Sequence, residues 1–140
     1  MDKEQIKHIA LQMESREDLL NLLNRIKRDE MEELGLADKF HPFTIKHMNY
    51  YCNPKNAFHR YRQFKIKKKS GGFRQITAPR NRSYMLLLDC LNGVLKAVYT
   101  PSQYATGLTE GRSVVTNASK HKGANYVFSI ALKDFFPSIE

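Results

Sequence analysis

Residues 64–79 read FKIKKKSGGFRQITAP and predict a β-hairpin. Apolar and polar side chains alternate in residues 64–67 and again in residues 73–77, which is the pattern of a strand with two different faces. The residues between them end in two adjacent glycines, Gly71 and Gly72. Glycine readily adopts the positive φ that a tight hairpin turn needs, so we expect the chain to reverse direction there.

Several cations lie near the predicted tip of this hairpin, namely Lys67, Lys68, Lys69 and Arg74. Lysine binds a phosphate as a point charge and arginine binds it as a two-pronged donor, so a cationic β-ribbon suits a phosphate-bearing ligand. A second interpretation is equally open on the hairpin alone, because lysines on an exposed edge strand also discourage pairing between molecules.

The 140-residue chain has a formal net charge of +9, and its charges are unevenly distributed. No acidic residue occurs between Lys39 and Leu88, whereas twelve lysines and arginines fall there. The first 38 residues hold ten acids against six bases. Basic residues scattered over solvated faces would explain the charge, but a concentrated positive surface that binds nucleic acid explains its placement better.

Length and composition predict one compact domain in a reducing compartment. A chain of 140 residues that is 41% hydrophobic is long enough to bury a core. No apolar run approaches membrane-spanning length and the N-terminus lacks the layout of a signal peptide, so we expect a cytoplasmic protein with no membrane partner. Neither Cys52 nor Cys90 belongs to a paired-cysteine spacing, which gives no indication of a zinc site or a disulfide framework.

The residues before the hairpin predict helices. Ser15 with Asp18 resembles a capping box in front of a helix that stops near Gly35. Thr44 is expected to cap a short helix that continues through Tyr51 and ends at the following Asn-Pro pair. With the hairpin, these helices predict an α+β fold.

Two further helices are predicted after the hairpin. Ser83 is expected to cap a helix that ends at about residue 98, and an irregular segment should follow over residues 103–112. Ser113 should then open a short helix that ends at Gly123. The buried face of the first of these helices is predicted to consist of Leu87, Leu88, Leu91, Val94, Leu95 and Val98.

Residues 126–132 read YVFSIAL and have the composition of a buried strand. The chain is expected to turn away at Pro137, and it stops at Glu140. A core strand in this position would lack a sheet partner, and its backbone would be unpaired on both sides. This is therefore an unusual place for a natural protein to end.

Three blocks of the sequence, FKIKKKSGGFRQITAP, YTPSQYATGLTEGRSVVTNASKHKG and YVFSIALKDFFPSIE, follow one another within roughly residues 55–140. In order and spacing they resemble bacterial reverse transcriptases of the retron type and related antiviral-defence reverse transcriptases. The resemblance implies part of a right-hand polymerase. Residues 1–54 would be an N-terminal helical segment, residues 55–125 the fingers and residues 126–140 the start of the palm, without the rest of the palm or the thumb.

The resemblance also implies a nucleotide site. In such enzymes a lysine and an arginine of the fingers hold the triphosphate of the incoming nucleotide, and by position these are Lys68 and Arg74, with Lys67 and Lys69 as neighbours. An aromatic residue near the start of the palm excludes the 2′-hydroxyl of ribonucleotides. Phe136 occupies that position, which points to deoxynucleoside triphosphates as substrates.

One position departs from the family pattern. The family has an aspartate at the end of the first palm strand that binds two Mg²⁺ ions, and the backbone carbonyl of the next residue, here Leu132, contacts one of them. This chain has Ala131 in place of that aspartate. A methyl group cannot ligate Mg²⁺, and Asp134 is not at a metal-binding position. The second carboxylate motif, Tyr-x-Asp-Asp, would lie beyond Glu140, so we expect the chain as given to be inactive.

Two explanations for Ala131 stay open, deliberate removal of the catalytic aspartate and natural loss of polymerase activity. The intact phosphate-binding cations and Phe136 favour the first. Outside the nucleotide site, cations mixed with aromatic rings suit a groove that follows a nucleic-acid backbone, although a plain strand has the same composition. The residues predicted to contact nucleic acid are Arg60, Arg62, Arg80, Arg82 and Arg112.

Two functions are therefore under consideration. The first is an RNA-directed DNA polymerase that uses an RNA template, a DNA primer, deoxynucleoside triphosphates and Mg²⁺. A retron enzyme would also use a structured non-coding RNA. The second is a non-catalytic RNA-binding module derived from a reverse transcriptase, which keeps the basic fingers as an RNA clamp.

Overall fold

A computed structural model of the chain describes residues 1–133 and 135. The chain forms two compact units, Met1–Thr100 and Pro101–Glu140. The first unit holds five helices and one two-stranded antiparallel sheet, and the described part of the second holds one short helix. Helices and a hairpin occur as predicted, so the α+β class is confirmed at this level. In the described residues no helix is long and apolar enough to cross a membrane.

The first two helices begin at capping boxes. Helix α1, Lys3–Leu11, is capped by Asp2, and helix α2, Arg16–Glu33, is capped by Ser15, whose hydroxyl accepts the Asp18 N–H. This confirms the predicted box, in which each side chain satisfies an otherwise unpaired backbone N–H. Helix α2 ends just before Gly35, which has φ +67°. That left-handed conformation is cheap for glycine and ends a helix.

Two shorter helices lead to the hairpin. Helix α3, Ile45–Cys52, is capped by Thr44 as predicted. A 3₁₀ turn over Pro54–Asn56 and the single-turn helix α4, Ala57–Arg60, follow it. Another 3₁₀ turn, Ala37–Lys39, lies between α2 and α3. Proline after α3 removes a helical N–H and favours this break.

Helix α5, Arg82–Val98, differs from the prediction at its start. Asn81, not Ser83, is the cap, because the Asn81 side chain accepts the Tyr84 N–H at 2.8 Å. Both residue types cap helices well, so the sequence alone did not separate them.

The buried face of α5 also differs from the prediction. Leu87 and Val94 are buried, but Leu95 is 58% exposed and Val98 38% exposed. Burial instead follows a stripe that also contains smaller or polar side chains. Its members are Tyr84, Leu87, Cys90, Val94 and Ala97.

The core of the first unit lies where α1 and α2 pack on α5. Cys90 on α5 is fully buried against Leu22 and Leu23 of α2. Residues from the segment after α2 complete the core, including Phe43. The amino group of Met1 pairs with Asp29 at 2.6 Å. This packing supplies a rigid helical body from which the hairpin projects.

The hairpin is longer than predicted. Strand β1, Tyr61–Lys67, pairs antiparallel with strand β2, Phe73–Pro79. The turn has the predicted geometry, because Gly71 and Gly72 have φ values of +89° and +76°. Residues with a side chain would be strained at both positions. Side chains of every residue of β1 are exposed, so the hairpin is held at its base and free along its length.

The second unit is largely irregular in its described part. Helix α6, Val114–Ser119, is capped by Ser113 as predicted, but it ends four residues before Gly123, because turns replace its last predicted turn. Residues 103–112 are irregular, as predicted. The Arg112 guanidinium donates to the carbonyls of Ser102 and Ala105, which ties this loop together.

The strand predicted over residues 126–132 is not formed. These residues lie outside any helix or strand, and Tyr126 and Phe128 are almost fully exposed. The physical reason is the missing sheet partner noted in the sequence. A strand needs a neighbour for its N–H and C=O groups, and no described segment supplies one. Phe136, Pro137 and Asp134 lie outside the described residues, so the expectations attached to them are not addressed by the structure.

Candidate phosphate-binding hairpin

The tip of the hairpin forms a groove of about 400 Å³. It is lined by backbone and side chains from the ends of both strands and from the turn. Lys68 and Arg74, which are predicted to hold a triphosphate, and their neighbours Lys67 and Lys69 are all among its lining residues. The lining consists of Ile66, Lys67, Lys68, Lys69, Ser70, Arg74 and Ile76.

Strand register brings these residues together. Ile66 pairs directly with Arg74, so their side chains lie on the same face of the hairpin. The turn then folds back on itself, because the Lys68 N–H donates to the Gly72 carbonyl at 3.0 Å and the Gly71 N–H donates to the Lys68 carbonyl at 3.2 Å. Lys68 and Lys69 of this turn line the same groove as Arg74.

The groove carries a positive charge that no carboxylate neutralises. Among the described residues the one ion pair joins the Met1 amino group to Asp29, in the helical body. Lys68 and Arg74 are exposed, so their field is screened by salt and acts mainly on a ligand that reaches the groove. Exposed and unpaired cations on a narrow ribbon are available to a polyanion.

A tyrosine cluster holds the base of the hairpin to the helical body. The Tyr61 hydroxyl at the start of β1 lies 2.9 Å from the Tyr84 hydroxyl on α5. The Tyr84 ring stacks on Tyr51 of α3 with centroids 4.7 Å apart. Burial and the hydrogen bond with Tyr61 raise the pKa of Tyr84. Three elements therefore meet at one buried phenol, which fixes where the hairpin leaves the body.

Arg60 also helps to hold the base of the hairpin to the helical body. Its guanidinium donates to the Tyr51 carbonyl at 2.5 Å, near the C-terminal end of α3. Its buried Nε has no hydrogen-bond partner within the described part of the chain. A cation beside the last carbonyls of a helix is favourable. Arg60 was predicted to contact nucleic acid, but in the structure its side chain is engaged in holding the hairpin base.

The other arginines predicted to contact nucleic acid lie in different local surroundings. Arg62 is exposed and lies over the Phe64 ring at 5.6 Å. Arg80 is exposed after β2, and Arg82 lines a separate cleft beside α2. Arg112 belongs to the second unit and binds backbone carbonyls there. Their role toward nucleic acid stays a prediction.

The residues predicted for the metal site do not assemble a ligand set in the described residues. Ala131 and Leu132 are exposed and outside regular structure. No group of three or more His, Cys, Asp or Glu side chains that could hold a metal occurs in residues 1–133 and 135. A pair of Mg²⁺ ions needs several oxygen ligands, so the described residues do not fit this cofactor by themselves.

Sequence reasoning missed Lys27. This side chain is only 8% exposed, and its ammonium group donates to the His41 carbonyl at 2.5 Å while facing the Phe43 ring at 4.2 Å. A signal was present, because Lys27 follows Leu23 by four residues and therefore continues the buried face of α2. Lysine at such a position was not recognised as a buried cation.

The chain is similar to curated retron reverse transcriptases. The chain is 35% identical over 96 residues to the retron Mx65 reverse transcriptase of Myxococcus xanthus and 37% identical over 90 residues to the Mx162 reverse transcriptase of the same organism. It is 33% identical over 113 residues to the retron Ec86 reverse transcriptase of Escherichia coli. The matches cover 69%, 59% and 79% of this chain.

The chain spans only part of these relatives, since the matches cover 22%, 18% and 33% of their lengths. No protein-family model matches the sequence. No solved structure matches it either.

Proposed function

Because the chain is homologous to part of the retron reverse transcriptases, we propose that it is a segment of an RNA-directed DNA polymerase whose basic hairpin binds the triphosphate of a deoxynucleotide. One observation carries the proposal. Lys67, Lys68, Lys69 and Arg74 line a single groove at the hairpin tip, where the strand register pairs Arg74 with Ile66.

The chemistry of the groove fits a triphosphate. Phosphoryl transfer depends mainly on positioning and on neutralising phosphate charge, which cations can do without covalent chemistry. In this proposal Arg74 donates two parallel hydrogen bonds to one phosphate, and Lys68 contacts a neighbouring phosphate as a point charge. Lys67 and Lys69 raise the local positive potential. The tyrosine cluster holds the base of the hairpin on the helical body, and the groove lies at the opposite, exposed end.

The fingers would comprise residues 55–125 and the palm would begin at residue 126. Within that palm, Ala131 occupies the place of the metal-binding aspartate, Leu132 offers only its carbonyl, and Phe136 would exclude ribonucleotides. Two divalent ions supply charge neutralisation at the reacting phosphate in intact polymerases. We propose that this chain binds nucleotide and nucleic acid but does not catalyse synthesis.

A second candidate is a non-catalytic RNA clamp derived from such an enzyme. Ala131 favours this candidate, because a protein that lacks the metal-binding aspartate can still bind RNA through its surface but cannot catalyse metal-dependent synthesis. Its ligand would be a structured RNA bound by the same exposed cations. The two candidates differ in whether the hairpin distinguishes a nucleoside triphosphate from an RNA backbone.

Binding measurements with paired variants separate the candidates. We expect Arg74→Gln and Lys68→Gln each to weaken dATP binding about tenfold, because each removes a charge-assisted contact. The controls are Arg62→Gln, on the same hairpin face as Arg74 but near the base, and Lys65→Gln, which does not line the groove. Both controls should retain dATP affinity. Calorimetric titration of the chain with dATP measures these constants.

Titration of the same four variants with an RNA hairpin completes the experiment. A nucleotide site predicts that Arg74→Gln loses dATP affinity while RNA affinity changes little. Equal losses for dATP and RNA would reject the nucleotide assignment and support the RNA clamp. Equal losses in Arg62→Gln and Arg74→Gln would show that only net charge matters, and neither specific assignment would hold.

A further inference from the structure

A second cleft lies in the helical body and shares no residue with the hairpin groove. It has a volume of about 530 Å³ and is formed by the C-terminal half of α2, the loop after α2 and the first turn of α5. Its charged lining residues are Lys27, Glu30, Lys39 and Arg82, and its apolar wall includes Met31 and Leu86. Its size falls within the range of small-molecule sites.

Lys27 is a buried cation that lacks a counter-charge. Its ammonium group carries three protons, and His41 accepts one of them through its carbonyl oxygen. The Phe43 ring lies beneath it, but no carboxylate within the described residues forms an ion pair with it. Burial lowers the pKa of Lys27, as expected when a charge leaves water without a full set of partners. A buried charge of this kind is stabilised by an anion that enters the cleft.

The charge of the cleft indicates which anion fits. Lys27, Lys39 and Arg82 contribute three positive charges, and Glu30 contributes one negative charge. The pKa of Glu30 is raised, because the side chain is partly desolvated and lies near Asp89 and Glu33. The surplus of about two positive charges matches a phosphate monoester, which carries about −1.5 to −2 at neutral pH, better than it matches a single carboxylate.

We propose that this cleft binds a phosphate monoester attached to an apolar or aromatic group. Arg82 holds the phosphate as a two-pronged donor, and Lys27 and Lys39 neutralise it. The attached group packs against Met31 and Leu86. A mononucleotide and the 5′-phosphorylated end of a nucleic-acid strand share this chemistry. The proposal does not depend on the polymerase function, because none of its residues belongs to the hairpin.

The test uses one short single-stranded oligonucleotide with either a 5′-phosphate or a 5′-hydroxyl. Binding to the chain is measured by fluorescence anisotropy with the dye at the 3′ end, so contributions from other basic surfaces are common to both ligands. We expect the 5′-phosphorylated strand to bind about tenfold more tightly, as one or two charge-assisted contacts allow. Equal affinities for the two strands would overturn the proposal.

Arg82→Gln should remove the preference for the 5′-phosphate. Arg80→Gln is the matched control, because Arg80 is exposed two residues earlier and does not line the cleft. Loss of the preference in both variants would reduce the effect to a diffuse basic surface and overturn the proposal. Competition experiments then show whether the bound phosphate belongs to a free nucleotide or to a strand end. Displacement by AMP but not by adenosine supports a free nucleotide as ligand, whereas displacement only by 5′-phosphorylated strands supports a strand end.

Lys27→Met tests the buried cation, and circular dichroism reports whether the variant folds. If it does not fold, acetylation of the wild-type protein by acetic anhydride provides the second measurement. We expect AMP, or the 5′-phosphorylated strand if AMP does not compete, to protect Lys27 from acetylation at least threefold, as read by mass spectrometry, while exposed Lys55 reacts equally with and without ligand. Unchanged Lys27 acetylation at saturating ligand would contradict its place in the site.

Discussion

The two units of the chain have similar fractions of apolar residues but bury them very differently. In the first unit, apolar side chains of three helices converge, and Leu22, Leu23 and Cys90 are completely or almost completely buried. In the described part of the second unit no residue is buried, and Phe128 is 86% exposed. Helices satisfy their own backbone, so their apolar faces need only one another.

An isolated strand segment cannot satisfy its own backbone groups as a helix does. The segment over residues 126–132 is more apolar than α5, but its backbone requires a neighbouring strand before its side chains can pack. Hydrophobicity alone therefore does not create a core. A segment folds where both its side chains and its backbone groups find partners within reach.

The largest expected effect tests this contrast directly. Leu23→Ala should lower the free energy of unfolding by about 2–5 kcal/mol, because it removes a buried side chain and leaves a cavity. Phe128→Ala removes a larger side chain but should change the free energy by no more than about 0.5 kcal/mol, since little buried area is lost. Urea denaturation followed by circular dichroism measures both.

A loss above about 1 kcal/mol in Phe128→Ala would break the comparison, because it would require Phe128 to be packed in solution. The exposed Leu34 provides a further control within the first unit. Leu34→Ala deletes the same atoms as Leu23→Ala and should leave stability nearly unchanged. Similar losses in the two leucine variants would place the core elsewhere.

Local sequence signals predicted most of the first unit. The Ser15 box, the Thr44 cap and the glycine turn at residues 71–72 each depend on neighbours within four residues, and each was confirmed. The segment at residues 126–132 failed because its outcome depends on strands that the described chain does not contain. A cap or a turn is decided by a few neighbouring residues, whereas a strand also needs a partner, and the sequence offered none for residues 126–132.

The candidate site shows the same limit at the level of side chains. The cationic hairpin tip was predicted from residues 64–79, and its four cations do line one groove. Arg60 and Arg112 were also predicted to contact nucleic acid, yet their guanidinium groups bind backbone carbonyls. Arginine has five donors and a long side chain, so its partner is decided by the tertiary fold. Lys27 was missed because lysines are almost always exposed, so its burial could not be expected from the sequence.

The next effect concerns the pH dependence of the free energy of unfolding, through a thiol in the core. Burial raises the pKa of the Cys90 thiol to about 11 from its ordinary value of 9.0. Below pH 9 the thiol is protonated in both the folded and the unfolded chain. Between pH 9 and 11 the unfolded thiol loses its proton while the folded thiol keeps it, so stability falls as pH rises. The total loss should be about 2–3 kcal/mol, at about 1.4 kcal/mol for each pKa unit.

Cys90→Ala serves as the reference, since it cannot titrate at this position. Its overall stability will differ from wild type because of the lost sulfur, so the slopes of the two pH curves are compared. Urea midpoints from pH 8 to 11 should diverge, with wild type falling faster than the variant. Parallel curves would mean that Cys90 titrates normally, and the description of a closed core around α5 would then be wrong.

A smaller effect separates the two possible caps of α5. Asn81→Ala should destabilise the chain by about 1 kcal/mol, because it removes the acceptor for the Tyr84 N–H and a partner of the Tyr51 hydroxyl at 3.2 Å. Ser83→Ala should be nearly neutral, since Ser83 lies inside the first turn. Urea denaturation compares the two variants. The reverse ranking would restore the cap predicted from sequence and move the start of α5.

The smallest expected effect lies in the second unit and has the opposite sign. Leu108 has φ +55°, a left-handed conformation that crowds the Cβ of a leucine, and its side chain is fully exposed. Leu108→Gly relieves about 1–2 kcal/mol of crowding but adds about 0.5–1 kcal/mol of chain entropy to the unfolded state. The loop should therefore gain about 0.5–1 kcal/mol. Amide exchange of Arg112, whose N–H donates to Thr109 at 3.1 Å, should slow by roughly two- to fivefold. Leu108→Ala keeps the Cβ and should not slow exchange, so equal slowing in both variants would assign the effect to the lost side chain and not to the backbone.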